Sequence, residues 1–250
     1  MNSARAISAE FLGSLMLAAV VVGSGIMAQR LSPGDVGLQL LMNAFATALG
    51  LGVLIVVFQP ISGAHLNPVV TIADAILDRE RRRLALPYVG AQTLGCIAGA
   101  LLANAMFALP AASWSTTERA TASTVLSEVV ATAGLVLVVF VLARTDRARL
   151  APVAVGAYIG AAYFFTASTS FANPAVTVGR MFSDTFAGVA PTSAPAFIAA
   201  QVVGAAAGLA IAAWLTPARA AGSLRDPARP IGPADDESAV LSDDACDRGA

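Results

Sequence analysis

The chain has 250 residues, 57% of them apolar and only 12% charged, with 15 basic against 16 acidic side chains and a mean hydropathy of +0.73. Soluble domains carry about 25% charged residues, so this chain has too little charge to cover a water-facing surface, and most of it must face lipid. A net charge of −1 argues against nucleic acid as a partner, and the two isolated cysteines, Cys96 and Cys246, lack the spacing of a disulfide or metal site.

In chain order, apolar runs fall at 7–29, 37–58, 84–108, 123–143, 150–166 and 193–215. Each approaches the roughly 20 residues that cross a bilayer core of ~30 Å. The first is too long for a cleaved leader and carries Glu10, so it reads as a span. Two further apolar segments, 67–77 and 173–183, are shorter, follow loops containing Gly, Ser and Thr, and begin with Asn-Pro. Eleven helical residues cover about 16 Å, half the core, so these segments cannot span.

Arginine supplies all the basic charge. With the N-terminus in the cytoplasm, twelve arginines, from Arg5 to Arg248, fall on the inner side and only Arg30, Arg119 and Arg180 on the outer. Positive charge collects inside, which places both termini there and requires an even number of spans. Residues 1–216 read as the membrane domain. Residues 217–250, rich in Pro, Asp, Arg and Ser, bury too little apolar surface to order themselves and read as a disordered cytoplasmic tail.

The membrane domain repeats itself over about 7–108 and 123–215. Asn67-Pro68-Val69-Val70-Thr71-Ile72 returns as Asn173-Pro174-Ala175-Val176-Thr177-Val178, displaced by 106. Ala91-Gln92 with Gly95, Ala98, Gly99 and Ala103 returns as Ala200-Gln201 with Gly204, Ala207, Gly208 and Ala212, displaced by 109. Glu10 is echoed by Glu128. Each half holds three spans and one half-helix, and three is odd, so the second half enters the membrane inverted. The fold class is therefore an all-α membrane protein, with six transmembrane helices and two re-entrant half-helices in an inverted 3+3 repeat. Such repeats bring their special residues together near the bilayer midplane.

Asn caps helix starts well, and Pro suits the first helical position. The Asn oxygen can accept from the first turn while its amide donates into the space ahead. Asn67 and Asn173 then present donors to one point, where each helix start adds about half a positive charge. Such a point holds a neutral molecule through a lone pair and repels cations. Non-helical backbone at that depth is tolerable only beside water or protein, so the carbonyls of Gly63, Ala64, His65, Ser168, Thr169 and Ser170 line the path.

Buried Glu10 and Glu128 have two readings: a proton relay, or braces that with Gln92 and Gln201 hydrogen-bond the re-entrant loops. Their symmetric placement favours bracing. His65, the only histidine, is a pH sensor or a loop brace. The recurrent glycines are small-residue helix contacts.

Ser62-Gly63-Ala64-His65-Leu66-Asn67-Pro68-Val69-Val70-Thr71 and Asn173-Pro174-Ala175 resemble the two signature loops of the major intrinsic protein (aquaporin) family, and the resemblance covers about 7–215. It implies a homotetramer in the cell's inner (plasma) membrane, with a pore in each subunit that passes small uncharged solutes without a cofactor. The glutamates match the family's structural glutamates. Val69 replaces the usual Ala beside the Asn pair, where Ala175 keeps it. The family's outer arginine is replaced by Val176, and Arg180 lies one helical turn farther out, over the mouth or facing headgroups. Carried over by spacing, the remaining filter positions are Thr47, Ser170 and either Tyr163 or Ala161. This lining implies a wider gate, similar to a bacterial branch associated with arsenic-resistance genes and passage of metalloids or glycerol.

The leading reading is thus a passive channel for water and small neutral solutes such as glycerol or arsenite. Alternatives are a strict water channel, with Arg180 reaching inward, and a proton-coupled transporter using a buried glutamate. Enzyme chemistry is least supported, because no nucleophile–base pair, metal cluster or phosphate loop stands out.

Overall fold

A computed structural model describes residues 3–216; the tail expected to be disordered lies outside the described residues. Eight α-helices follow in order: α1 (Ser3–Leu31), α2 (Val36–Ser62), α3 (Pro68–Leu77), α4 (Arg82–Met106), α5 (Ala122–Arg144), α6 (Ala151–Phe165), α7 (Pro174–Arg180) and α8 (Ala194–Leu215). Six helical stretches are long and apolar enough to cross a membrane; the fifth, Ala148–Phe165, includes a 3-10 turn ahead of α6. Among the described residues there is no strand.

Local chemistry sets the boundaries. Asp35 caps α2 by accepting from the Leu38 N–H, and Gly63 ends it in the left-handed region at φ 93°, which glycine enters without a steric penalty. Thr121 and Thr124 cap α5 reciprocally. The helix α7 stops at Arg180, short of the expected residue 183. There the chain turns back, and the carbonyls of Met181 and Phe182 accept from the N–H groups of Ser115 and Ser113 on the 107–121 segment.

The strongest helix pairings are α1 with α4 and α5 with α8, which correspond under the repeat. Both rest on glycine. A Cβ on Gly99 would stand 2.1 Å from the Leu15 carbonyl oxygen, and one on Gly208 would stand 2.3 Å from that of Ala133. No side chain fits at such a distance, so the backbones touch directly. Between the halves, α2 packs on α6, α7 on α4 and α3 on α8. The outer face of α2 shows Phe45, Leu49, Val53 and Val56, all more than half exposed. A row of this kind would be costly in water and suits lipid.

Connectivity sets the two loops at opposite ends. The loop 63–67 follows the end of α2, on the side where α1 begins (the near side). Residues 166–173 follow the end of α6, on the far side, with Gln29, Phe107 and Phe186. Both loops turn inward, and α3 and α7 return to the side from which each loop came.

Candidate functional site

Each re-entrant loop needs left-handed backbone at non-glycine residues. Ala64 and Leu66 (φ 48° each) match Ser170 and Ala172 (φ 53° and 49°) under the same displacement of 106, and Thr169 adds a fifth at 62°. Such conformations cost of order 1 kcal/mol apiece and persist only where the surroundings enforce them. Here the enforcement is visible. The Glu10 carboxylate accepts from the Ser62 hydroxyl (2.6 Å), the N–H groups of His65 (2.9 Å) and Leu66 (2.7 Å), and the Gln92 amide (2.7 Å). Glu128 repeats the set with the Ser168 hydroxyl (2.6 Å), Phe171 and Ala172 N–H (2.9 Å each) and the Gln201 amide (2.7 Å). Gln92 and Gln201 also donate to Thr71 and Thr177, at 2.9 Å in both halves. Four donors on each fully buried carboxylate offset the cost of taking it out of water.

So held, the loops present their asparagines to each other. Asn67 Oδ1 accepts from the Val69 N–H, and Asn173 Oδ1 from those of Ala175 and Val176. The Asn67 amide donates to the Ala172 carbonyl at 2.8 Å, and the Asn173 amide to the Leu66 carbonyl at 2.7 Å. The two half-helix starts are therefore cross-tied. One N–H of each amide makes the tie, and both residues line a single cavity. Sequence reasoning expected the whole amide group to be free; it did not foresee that half of it would join the halves.

That cavity, of about 390 Å³, runs from Gln59, Arg81 and Ala148 at the near side past both asparagines to Arg180 at the far side. Thr47, Tyr163, Ser170 and Val176 all line it, and the Tyr163 hydroxyl donates to Thr47 Oγ1 at 3.2 Å. Ala161, the other fifth-span candidate, is exposed on the outside. Gly63, Ala64, His65 and Leu66 line the near half of the cavity. On the far side the lining is Ser170, Phe171 and Ala172; Ser168 is turned to Glu128, and Thr169 lines a separate recess.

Two expected lining residues face elsewhere. Val69 is buried in a cluster with Val136, Phe140 and Ala205, and Ala175 is in the central core. The side chains beside the asparagines in the cavity are Val70 and Val176, each three residues after its Asn. Residues three apart share a helix face, so the periodicity of the motif contained this signal. Glu10, Glu128, Gln92 and Gln201 stay outside the cavity lining.

At the near mouth His65 Nδ1 lies 3.1 Å from Thr71 Oγ1, and its Nε2 is 3.7 Å from Asp74, which Arg81 also meets at 3.4 Å. At the far mouth Arg180 is buried. Its Nε donates to the Ala187 carbonyl, and its guanidinium carbon lies 3.4 Å from the centre of the Phe171 ring. The guanidinium thus turns inward, away from lipid. Among the described residues no cluster of His, Cys, Asp or Glu could hold a metal.

The sequence profile described as "Major intrinsic protein" matches residues 1–172. The chain is 46% identical to "Aquaglyceroporin AqpS" of Rhizobium meliloti (strain 1021), over 89% of this chain and 91% of that protein. It is 34% identical to "Aquaporin TIP1-2" of Zea mays, over 71% and 74% of the two chains. Among solved structures, the aquaglyceroporin from Plasmodium falciparum superposes with a TM-score of 0.62 at 21% identity, covering 86% of this chain and 96% of that one. That last likeness establishes the fold alone.

Proposed function

Because the chain belongs to the major intrinsic protein family, we propose that it is a multi-pass membrane channel that passively conducts water and small uncharged solutes such as glycerol. The observation that carries this reading is the cross-tied asparagine pair, which lines one cavity that runs between the two ends of the bundle and has one further N–H on each amide to offer it. Donors at a fixed point hold a solute oxygen, and two converging helix starts disfavour a cation there. Neither buried glutamate lines the cavity, and both are fully engaged in hydrogen bonds, which speaks for braces rather than a proton relay.

The finer reading is that Thr47, Tyr163, Ser170 and Val176 form the selectivity filter, with Arg180 at the outer mouth. Three of these offer hydroxyls and the fourth a short apolar wall, which suits a polyol or the uncharged hydroxide As(OH)3. A strict water channel is the second reading, favoured by the inward turn of Arg180. The resemblance adds a homotetramer in the inner membrane, and the arginine distribution adds cytoplasmic termini.

Light scattering from proteoliposomes separates the readings. Shrinkage and recovery in a glycerol gradient, unchanged by an imposed proton gradient, is the expected result, with arsenite entering by the same route. Water flux without glycerol flux would select the strict water channel. Uptake that requires a proton gradient would reject passive conduction.

A further inference from the structure

We propose that the far recess binds a small planar monoanion, a carboxylate of formate or acetate size, between Arg119 and Arg180. The recess has a volume of about 540 Å³ and is lined by both arginines together with Gln39, Asn43, Thr169 and Asp184. Arg180 also lines the central cavity, so the site stands at the end of the passage.

Among the described residues neither cation forms an ion pair. Asp184, in the same recess, is taken by the N–H and hydroxyl of Thr116, and Glu118 by the hydroxyls of Thr192 and Ser193. The two guanidinium carbons lie 3.4 Å and 5.7 Å from the centre of the Phe171 ring, hence within about 9 Å of each other. Like charges so placed repel, and the burial of Arg180 and partial burial of Arg119 weaken the screening that water would supply.

The loop 186–188 holds them in place. Arg119 donates from Nε to the Gly188 carbonyl and from Nη2 to that of Phe186, while Arg180 Nε takes the carbonyl between them, Ala187. Three successive carbonyls thus clamp two cations without neutralising either. The Nη1 of Arg119 and both terminal nitrogens of Arg180 make no hydrogen bond to the described residues. A planar acceptor with two oxygens matches guanidinium donors best. Counting Asp184, the recess carries a net charge of one, so a monoanion balances it and a dianion overshoots.

The test is saturation-transfer NMR on the formate proton with the purified protein in micelles. Saturable binding is expected, weakened about thirtyfold or more by Arg119→Gln and by Arg180→Gln, as for loss of one partner of a charged contact. Asp184→Asn keeps the oxygen that Thr116 bonds and removes the competing charge, so it should tighten binding; this variant guards against misfolding of the arginine variants. A signal linear in formate, or one with the same midpoint in all variants, would overturn the site. A second arm rests on the reading of the cavity as a solute passage: formate should slow glycerol flux with the midpoint seen by NMR. Saturable binding with unaffected glycerol flux would overturn its position on the route. Formate binding in a protein that passes neither glycerol nor water would leave the site standing and refute the channel reading instead.

Discussion

Val176 stands where a positive charge would act most directly on the passage. It shares a helix face with Asn173 and meets the cavity beside Thr47, Tyr163 and Ser170. Val176→Arg would add a long cation next to Arg180, narrowing the lumen and filling it with donors. Glycerol permeability should fall about tenfold, a barrier rise of roughly 1.4 kcal/mol, with water permeability much less affected. Stopped-flow shrinkage in glycerol and in sucrose gives both values, and an unchanged ratio would remove Val176 from the filter. The resemblance to the aquaporin signature loops singled out this position, as the place of the family's outer arginine. Val69 and Ala175 were misplaced because attention to the residue after Pro passed over the helical period, which turns that residue away and brings Val70 and Val176 inward.

At the scale of elements, the re-entrant loops depend on their carboxylates. Each carries left-handed residues without glycine's freedom, fixed by four hydrogen bonds to one glutamate. In Glu128→Gln one carboxylate oxygen becomes an N–H2 group facing donors, leaving buried groups unpaired at about 1–3 kcal/mol each. The midpoint of thermal unfolding in micelles should drop by several degrees and flux should fall with it. Full stability with altered pH dependence of flux would instead favour the proton relay. Symmetry in the sequence pointed to Glu10 with Gln92 and Glu128 with Gln201. The serine links, Ser62 and Ser168, went unnoticed although they obey the same displacement of 106, because serine in a loop carries no distinctive pattern. The cross-tie between Asn67 and Ala172 was likewise invisible, since it depends on how two loops 105 residues apart dock.

On the scale of the whole molecule, six spans and two half-helices were readable because lipid imposes length and polarity on every crossing element. The far-side clamp was not, since arginine-to-carbonyl contacts leave no trace in composition. The arginine distribution yields a topological prediction: both termini lie in the cytoplasm. The chain has two cysteines, and Cys96 is fully buried with its thiol directed at the Ser14 carbonyl. An impermeant maleimide should therefore label Cys246 only after cells are permeabilised. Labelling of intact cells would reverse the orientation, although not the fold.

The proposed channel turns on Asn67 and Asn173, two amides that meet from opposite ends of the fold and line one cavity. The most direct measurement is cation leak, proton and potassium, recorded alongside glycerol flux in the same proteoliposomes for the unaltered protein and for Asn67→Asp with Asn173→Asp. The unaltered protein should pass glycerol without ionic current, and the doubly substituted one, now with carboxylates at the constriction, should leak cations. Cation exclusion that survives the double change in a folded, glycerol-permeable protein would contradict the account.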